Sequence, residues 1–243
     1  MPSIKIVNAD KYIVDKSCTI IITNREANIE YKLKDGEYKI LIFNDFDGDL
    51  VLNDSGVIDN SNVVINYLQL EKANLVQNTT IKVNKGSSLS VNTTYLGANK
   101  KEIIFDLYNE GSDSSVEIAN NIVCLDAADF SLDCIGTIVK GASRSKCHQK
   151  SHCLTIDSPL RARVLPVLNI DEDDVEASHS LSSGTIDEEV LYYMNSRGLS
   201  SRDALGLILK SYLMPSDNYY DGFEMGKQIQ EDAIKKVENI CSI

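Results

Sequence analysis

From its first residues to about position 170 the chain presents one short β-type segment after another, with no helical stretch between them. Segments such as NIEYKL (28–33), YKILIF (38–43), VVINYL (63–68), EIIFDLY (102–108) and TIVK (137–140) are rich in β-branched and aromatic residues. Turns bearing Gly, Asn, Asp and Ser, among them DFDGD, NKGSS and NEGSDSS, separate them. A spacing of roughly ten residues suits a sandwich, a barrel or a β-helix. The lack of crossover helices excludes a layered α/β sheet. The turns carry no crisp two-residue Asn-Gly hairpin signal, which fits the corners of a coil better than hairpins. No exact period is present, so periodicity alone leaves sandwich and solenoid open.

After Gly184 the pattern changes. Thr185 followed by Glu188 reads as a capping box, and a helix through VLYYMNSR stops at Gly198, which takes a left-handed C-terminal cap at little cost. Ser200 with Asp203 opens a second helix, whose apolar face holds Ala204, Leu205, Leu207, Ile208, Tyr212 and Leu213 and which Pro215 ends. A third helix is predicted over about 220–240, with Ile229, Ala233, Ile234, Val237 and Ile240 on one stripe. The organisation expected is a β domain over 1–183 and a helical subdomain over 184–243, whose apolar faces could close the end of the β body.

The formal charge of −12 argues against non-specific binding to nucleic acid or to an anionic membrane. The acidic clusters 171–176 and 187–189 read as solvated surface. No segment approaches the ~20 apolar residues that span a bilayer, and MPSIKIVNADKY is no secretory leader, so a cytoplasmic location is expected. In that setting the six cysteines are free thiols, metal ligands or catalytic groups rather than a disulfide framework. The densest chemistry lies in Cys147-His148-Gln149-Lys150-Ser151-His152-Cys153, where two thiols and two imidazoles share seven residues. This is no closed zinc spacing. On a strand, Cys147 and Cys153 would share one face, and His148 and His152 the other. Cys124 and Cys134 read as small apolar core residues, and Cys18 and Cys241 as structural or incidental.

The stretch from Ala162 to Leu213 closely resembles the core of the SufB/SufD family of the SUF system. It follows the family's strand with Ala162, Pro166, Leu168 and Ile170, then a step with Val175 and His179. The helix start with Gly184, Ile186 and Asp187 comes next, then Tyr192-Tyr193-Met194-x-Ser196-Arg197-Gly198 and a helix with Ala204, Leu207 and Ile208. Gly136, Ala142 and Gln149 extend the match more weakly. The resemblance implies a right-handed parallel β-helix that pairs through its later coils with a second copy or a paralogue. It implies C-terminal helices that dock a SufC-like ABC ATPase, a sulfur donor protein as a further partner, and a transient iron–sulfur cluster as cargo. The chain has no G-x-x-x-x-G-K-[ST] loop of its own, and a non-enzymatic scaffold is expected. Family members carry an N-terminal helical region that this sequence does not, so a minimal version is expected.

Alignment on Pro166 and His179 puts Ser151 where SufB-type members have a cluster-associated cysteine, with Cys153 two residues further on the same face. Cys153, Cys147, His179 and His152 are therefore the candidate ligands of cluster or sulfur. Ser178 and Ser180 flank His179 and look more like SufD, which leaves a SufD-like structural subunit without its own cluster as an alternative. Arg197 would pair with an acidic neighbour, cap a helix or meet the ATPase. A stand-alone β-helix, either a structural protein or a carbohydrate-active enzyme using Asp45, Asp47 and Asp49, is the rival from another class, although DFDGD reads more simply as a turn.

Overall fold

The computed structural model describes residues 3–6, 11–125, 128–156, 161–214 and 219–241. Pro215 of the sequence reading lies outside these residues. Among these described residues, thirteen strands wind into a parallel β-solenoid of about six turns, followed by three helices. One ladder runs β2 (Lys11–Val14), β4 (Glu26–Asn44), β5 (Leu50–Gln69), β6 (Leu75–Val83), β8 (Lys100–Asn109), β10 (Asp129–Ile138) and β12 (Arg161–Ile170). The other runs β1 (Ser3–Ile6), β3 (Cys18–Ile22), β4 and β5 again, β7 (Ser88–Gly97), β9 (Ser115–Cys124), β11 (Ser145–Thr155) and β13 (Val175–Thr185). The long β4 and β5 serve both ladders. Every pairing is parallel, so the β-helix expectation holds and the sandwich does not.

The missing period has a geometric cause. Asn28, Asn53, Asn78, Ile104, Asp133 and Leu165 stand in one column, so the coil lengthens from 25 to 32 residues along the solenoid. What repeats is conformation rather than identity. Asp35 (φ 53°), Asn60 (45°), Gly86 (66°), Asp113 (60°) and Arg144 (59°) place one left-handed residue at the same corner of successive coils. Asn, Asp and Gly accept that geometry readily. Arg144 does not, and its guanidinium is held bidentately by Asp113 at 2.7 Å for both bonds. Outside the coil, Asn53 donates to Asn28 (3.2 Å) and Asn78 to Asn53 (3.1 Å), a side-chain ladder that the stacking itself creates.

Alternate residues point inward and form one continuous core. Its centre also holds a buried polar chain. Tyr31 (2.8 Å) and Thr79 (2.5 Å) donate to the Asp54 carboxylate, and Tyr67 donates to it as well; Gln77 donates to Thr79 (3.1 Å) and Tyr95 to Gln77 (2.8 Å). Burial pushes the Asp54 carboxyl up to about 6, against the pull of its three hydroxyl donors.

The helices are α1 (Glu188–Ser196), α2 (Ser201–Leu213) and α3 (Gly226–Cys241). The expected capping box at Thr185 does not form. Asp187 is the cap and accepts from the Glu189 amide at 2.8 Å, one short side chain doing the work of the pair. Ser200 caps α2 as expected, accepting from the Asp203 amide at 3.1 Å, and Gly198 (φ 94°) closes α1.

The tail does not close the end of the solenoid. Leu209 and Leu213 of α2 and Ile229, Ala233, Val237 and Ile240 of α3 pack on Ile21, Phe43, Leu68, Leu96, Val123 and Leu154, outward residues of β3, β4, β5, β7, β9 and β11. The Tyr219 hydroxyl donates to the carbonyls of Tyr67 (2.7 Å) and Asn92 (3.0 Å). Lys236 binds Asp45 (3.1 Å) and Glu71 and lies 4.7 Å from the Phe43 ring centre. A strip of apolar strand ends along the flank is a larger hydrophobic target than one coil end. The last coil, β12 and β13, is consequently uncapped, and none of its residues is buried. Pro166 within β12 is tolerated because β12 pairs on one side only, with β10.

Candidate functional site

The candidate ligands lie on the two final coils. Along β11 the odd positions face the interior: Ser145, Cys147, Gln149, Ser151 and Cys153 are all buried, while Lys146, His148, Lys150 and His152 face out. The thiols and the imidazoles of this segment therefore occupy opposite faces, as alternation requires. Cys147 is 0% exposed and Cys153 4%. Ser151 is equally enclosed and accepts from Asn120 at 3.0 Å, and Asn120 accepts from Thr93 at 2.7 Å.

His179 stands in register with Gln149, at an inward position of β13. It is nonetheless exposed, because no further coil covers it. Ala162, Val164, Pro166, Leu168 and Ile170 of β12 continue the inward columns of β10, and Val175, Ala177, Leu181 and Ser183 those of β11. The end of the solenoid is thus a mostly apolar face with an imidazole inside it, bounded by two strand edges whose amides and carbonyls have no strand beside them among the described residues. Beneath His179, Gln149 donates to the Val167 carbonyl at 3.1 Å, and its buried side-chain oxygen has no hydrogen-bond partner among the described residues. His152 is half-buried on the outer face, and His148 contacts the Ser178 hydroxyl at 2.8 Å through Nδ1. Among the described residues no three His, Cys, Asp or Glu side chains converge as a metal site.

Two thiols that the sequence reading assigned to the core are buried as expected and also have thiol neighbours. Cys134 of β10 faces Cys147 across the interior, and the absence of a side chain at Gly136 makes room: a Cβ there would lie 2.5 Å from the Cys147 sulfur. Burial pushes Cys134 up to about 12, helped by Cys147, and Cys147 up to about 11. Cys124 at the end of β9 and Cys153 of β11 face the interior on a diagonal of their ladder. The neighbouring thiol, with burial, raises Cys124, while the same interaction holds Cys153 below the ordinary thiol value. No sequence signal marks these pairs, because they join coils of different length. Cys18 is buried alone in β3 and rises to about 11, and the Cys241 side chain lies outside those described.

The tail contributes a second surface. No residue of α1 is buried; Tyr192 is 77% and Tyr193 58% exposed, and Val190 and Leu207 are exposed beside them. Arg197 is the C-cap residue of α1, as one of its expected roles required; among the described residues its guanidinium makes no ion pair, and it lies over the Tyr193 ring, 5.2 Å from the ring centre. Asp45, Asp47 and Asp49 fall in the turn between β4 and β5: Asp45 holds Lys236, and Asp49 accepts from the Asn74 amide at 3.1 Å.

Residues 10–212 match the family model described as "SUF system FeS cluster assembly, SufBD core domain". The chain is 30% identical over 172 residues to the iron–sulfur cluster assembly protein SufD of Bacillus subtilis, covering 64% of this chain and 39% of that protein. It is 38% identical over 80 residues to an iron–sulfur cluster assembly SufBD family protein of Pyrococcus horikoshii, covering 33% and 18% respectively. A homologue in Methanothermobacter thermautotrophicus, a SufBD family protein, is 24% identical over 159 residues, 64% of this chain and 38% of the relative. The matches span less than half the length of each of these relatives.

Proposed function

The chain belongs to the SufBD core family of the SUF system for iron–sulfur cluster assembly, and from that premise we propose that it is a non-enzymatic scaffold working with a SufC-like ABC ATPase. The observation that carries this reading is the uncapped last coil. Its inward residues are exposed and its two strand edges are open, the state of a solenoid end that awaits another chain. A second copy or a paralogue laid edge to edge would cover Val164, Leu168 and Leu181 and enclose His179. Nascent cluster or sulfur would be held at that junction. His179 would supply one ligand and the facing chain the others, with Cys147, Cys153 and His152 as the remaining candidates on this chain. The ATPase would dock on α1 and α2 through Tyr192, Tyr193, Val190 and Leu207, rigid aromatic and aliphatic anchors of the kind that dominate interfaces. The setting proposed is cytoplasmic, with a sulfur donor protein and without nucleic acid; among the described residues no helix is long and apolar enough to cross a membrane.

One observation favours the SufD-like variant, a structural subunit without its own cluster. Cys18, Cys124, Cys134, Cys147 and Cys153 are all buried in the solenoid, and His179 alone of the candidates stands at the open end. Anaerobic reconstitution with iron and sulfide, in the presence of the matching ATPase, separates the readings. A coloured wild type that His179→Ala and Cys147→Ser/Cys153→Ser weaken supports a cluster-holding scaffold. Co-elution with the ATPase without colour supports the structural subunit. Loss of co-elution in the wild type overturns the assembly role.

A further inference from the structure

On the outer face of β7, β9, β11 and β13 lies a cleft of about 380 Å³, whose lining includes Asn92, Glu117, Ala119, His148 and Lys150. Its shape follows from the register. Ala119 stands between Asn92 and Lys150, so a short side chain separates two longer ones and leaves a hollow. In the next row Glu117 and His148 are direct neighbours, with Ser178 beyond His148. Strand pairing brings their α-carbons to about 4.8 Å, close enough for a carboxylate and an imidazole to share one ion. Glu117 is exposed and makes no hydrogen bond or ion pair among the described residues, whereas Lys146 and Glu176 in the adjacent row pair at 3.0 Å.

The imidazole is already oriented. Nδ1 of His148 meets the Ser178 hydroxyl at 2.8 Å, and because the two ring nitrogens point in widely different directions, Nε2 opens outward on the Glu117 side. In the tautomer that donates from Nδ1, Nε2 keeps its lone pair. A hydrogen bond at the second nitrogen is the usual companion of a metal-binding histidine. An imidazole beside a carboxylate suits the divalent ions of the first transition row.

From this geometry we infer that Glu117 and His148 form an outer-face docking site for a divalent transition-metal ion, with Ser178 as its positioning residue. Two protein ligands leave the remaining coordination to water, so the ion is held exchangeably. Its identification as ferrous iron rests on the assembly role proposed above. β13 carries both Ser178 and His179, so an ion docked here lies beside the open end where the cluster would be held. Lys150 stands on the diagonal from Glu117. Its charge opposes a cation in the cleft and would attract an anion, which makes it the discriminating residue.

The test titrates ferrous ion into the full chain, anaerobically and without sulfide or ATPase. Bound iron is measured by equilibrium dialysis, and the paramagnetic broadening of each histidine by NMR of protein labelled with nitrogen-15 histidine. One ion per chain is expected, with broadening centred on His148. Glu117→Gln and His148→Ala should each weaken binding by about tenfold or more, and Ser178→Ala by about tenfold; Lys150→Ala should tighten it. These positions are exposed or half-buried, and circular dichroism checks that each variant keeps the fold. Binding unchanged in either Glu117→Gln or His148→Ala, broadening confined to His179, or weaker binding in Lys150→Ala overturns the inference. Because no ATPase is present, that failure is distinct from loss of ATPase co-elution, which would overturn the assembly role instead.

Discussion

An Asp54→Asn substitution exchanges the buried carboxyl group for a neutral amide of nearly the same shape. In the folded chain Asp54 is 2% exposed, and burial lifts its carboxyl from the ordinary 3.8 to about 6. Below the lower value both states are protonated, and the group contributes nothing to the pH dependence of folding. Between the two values the unfolded chain loses its proton first, so stability falls as pH rises and levels off above about pH 6. A shift of roughly two units corresponds to about 3 kcal/mol of stability lost between acid and neutral pH. The asparagine variant lacks this loss, and other titrating groups cancel when the two proteins are compared. The stability gap, variant minus wild type, should therefore grow by about 2.5 kcal/mol from pH 4 to pH 7.5, about 5–10 °C in melting temperature for a chain of this size. Thermal melts followed by circular dichroism across that range measure it. Tyr67→Phe removes one of the donors that hold the carboxylate down, so the wild-type transition should move to higher pH. Parallel curves for wild type and Asp54→Asn would refute the reasoning, because Asp54 would then carry the same charge folded and unfolded.

Further measurements address other parts of the molecule. Leu209→Ala empties a buried site between α2 and the strand ends and should cost about 2–5 kcal/mol; limited proteolysis should then cut within the tail before the solenoid. Arg144→Gly relieves the left-handed corner at the expense of an exposed ion pair, so it should be more stable than Arg144→Ala by about 1 kcal/mol in urea titrations. Gly97→Ala forces a methyl against the Cys124 sulfur and to 3.2 Å from Phe130, with an expected cost of about 1–3 kcal/mol. Adding Cys124→Ala should return part of that loss, a coupling that a double-mutant cycle in urea would detect.

The strands of the first five coils were readable because most of their inward positions are Ile, Val, Leu, Tyr and Phe, alternating with polar residues. β11 escaped the same reading. Its inward positions are Ser145, Cys147, Gln149, Ser151 and Cys153, so the apolar alternation disappears where the interior turns polar. The solenoid could not be separated from a sandwich by period, since the coil grows by several residues towards the C-terminus and only the left-handed corners repeat. The helices and most of their caps were legible from Ser200, Gly198 and the stripe ending at Ile240. Their position was not, because an apolar helical face does not say whether it meets a coil end or a row of strand ends. The thiol pairs were hidden for a related reason: the placing of Cys153 on a diagonal from Cys124 depends on how many residues each intervening turn takes up.

The placement of the tail bears on how the chain is completed during synthesis. Its helices follow those strands in the sequence and are made after them, and the strip they bind is contributed piecemeal by β3, β4, β5, β7, β9 and β11. Until those strands are stacked, the strip exists only in fragments, each too small to hold a helix. A helical tail seated in place is then a certificate that every coil beneath it has been laid down, and a chain stalled or misregistered midway would display loose, protease-sensitive helices instead. Any partner that recognises the seated helices would by the same token inspect the stack beneath them while touching the helices alone.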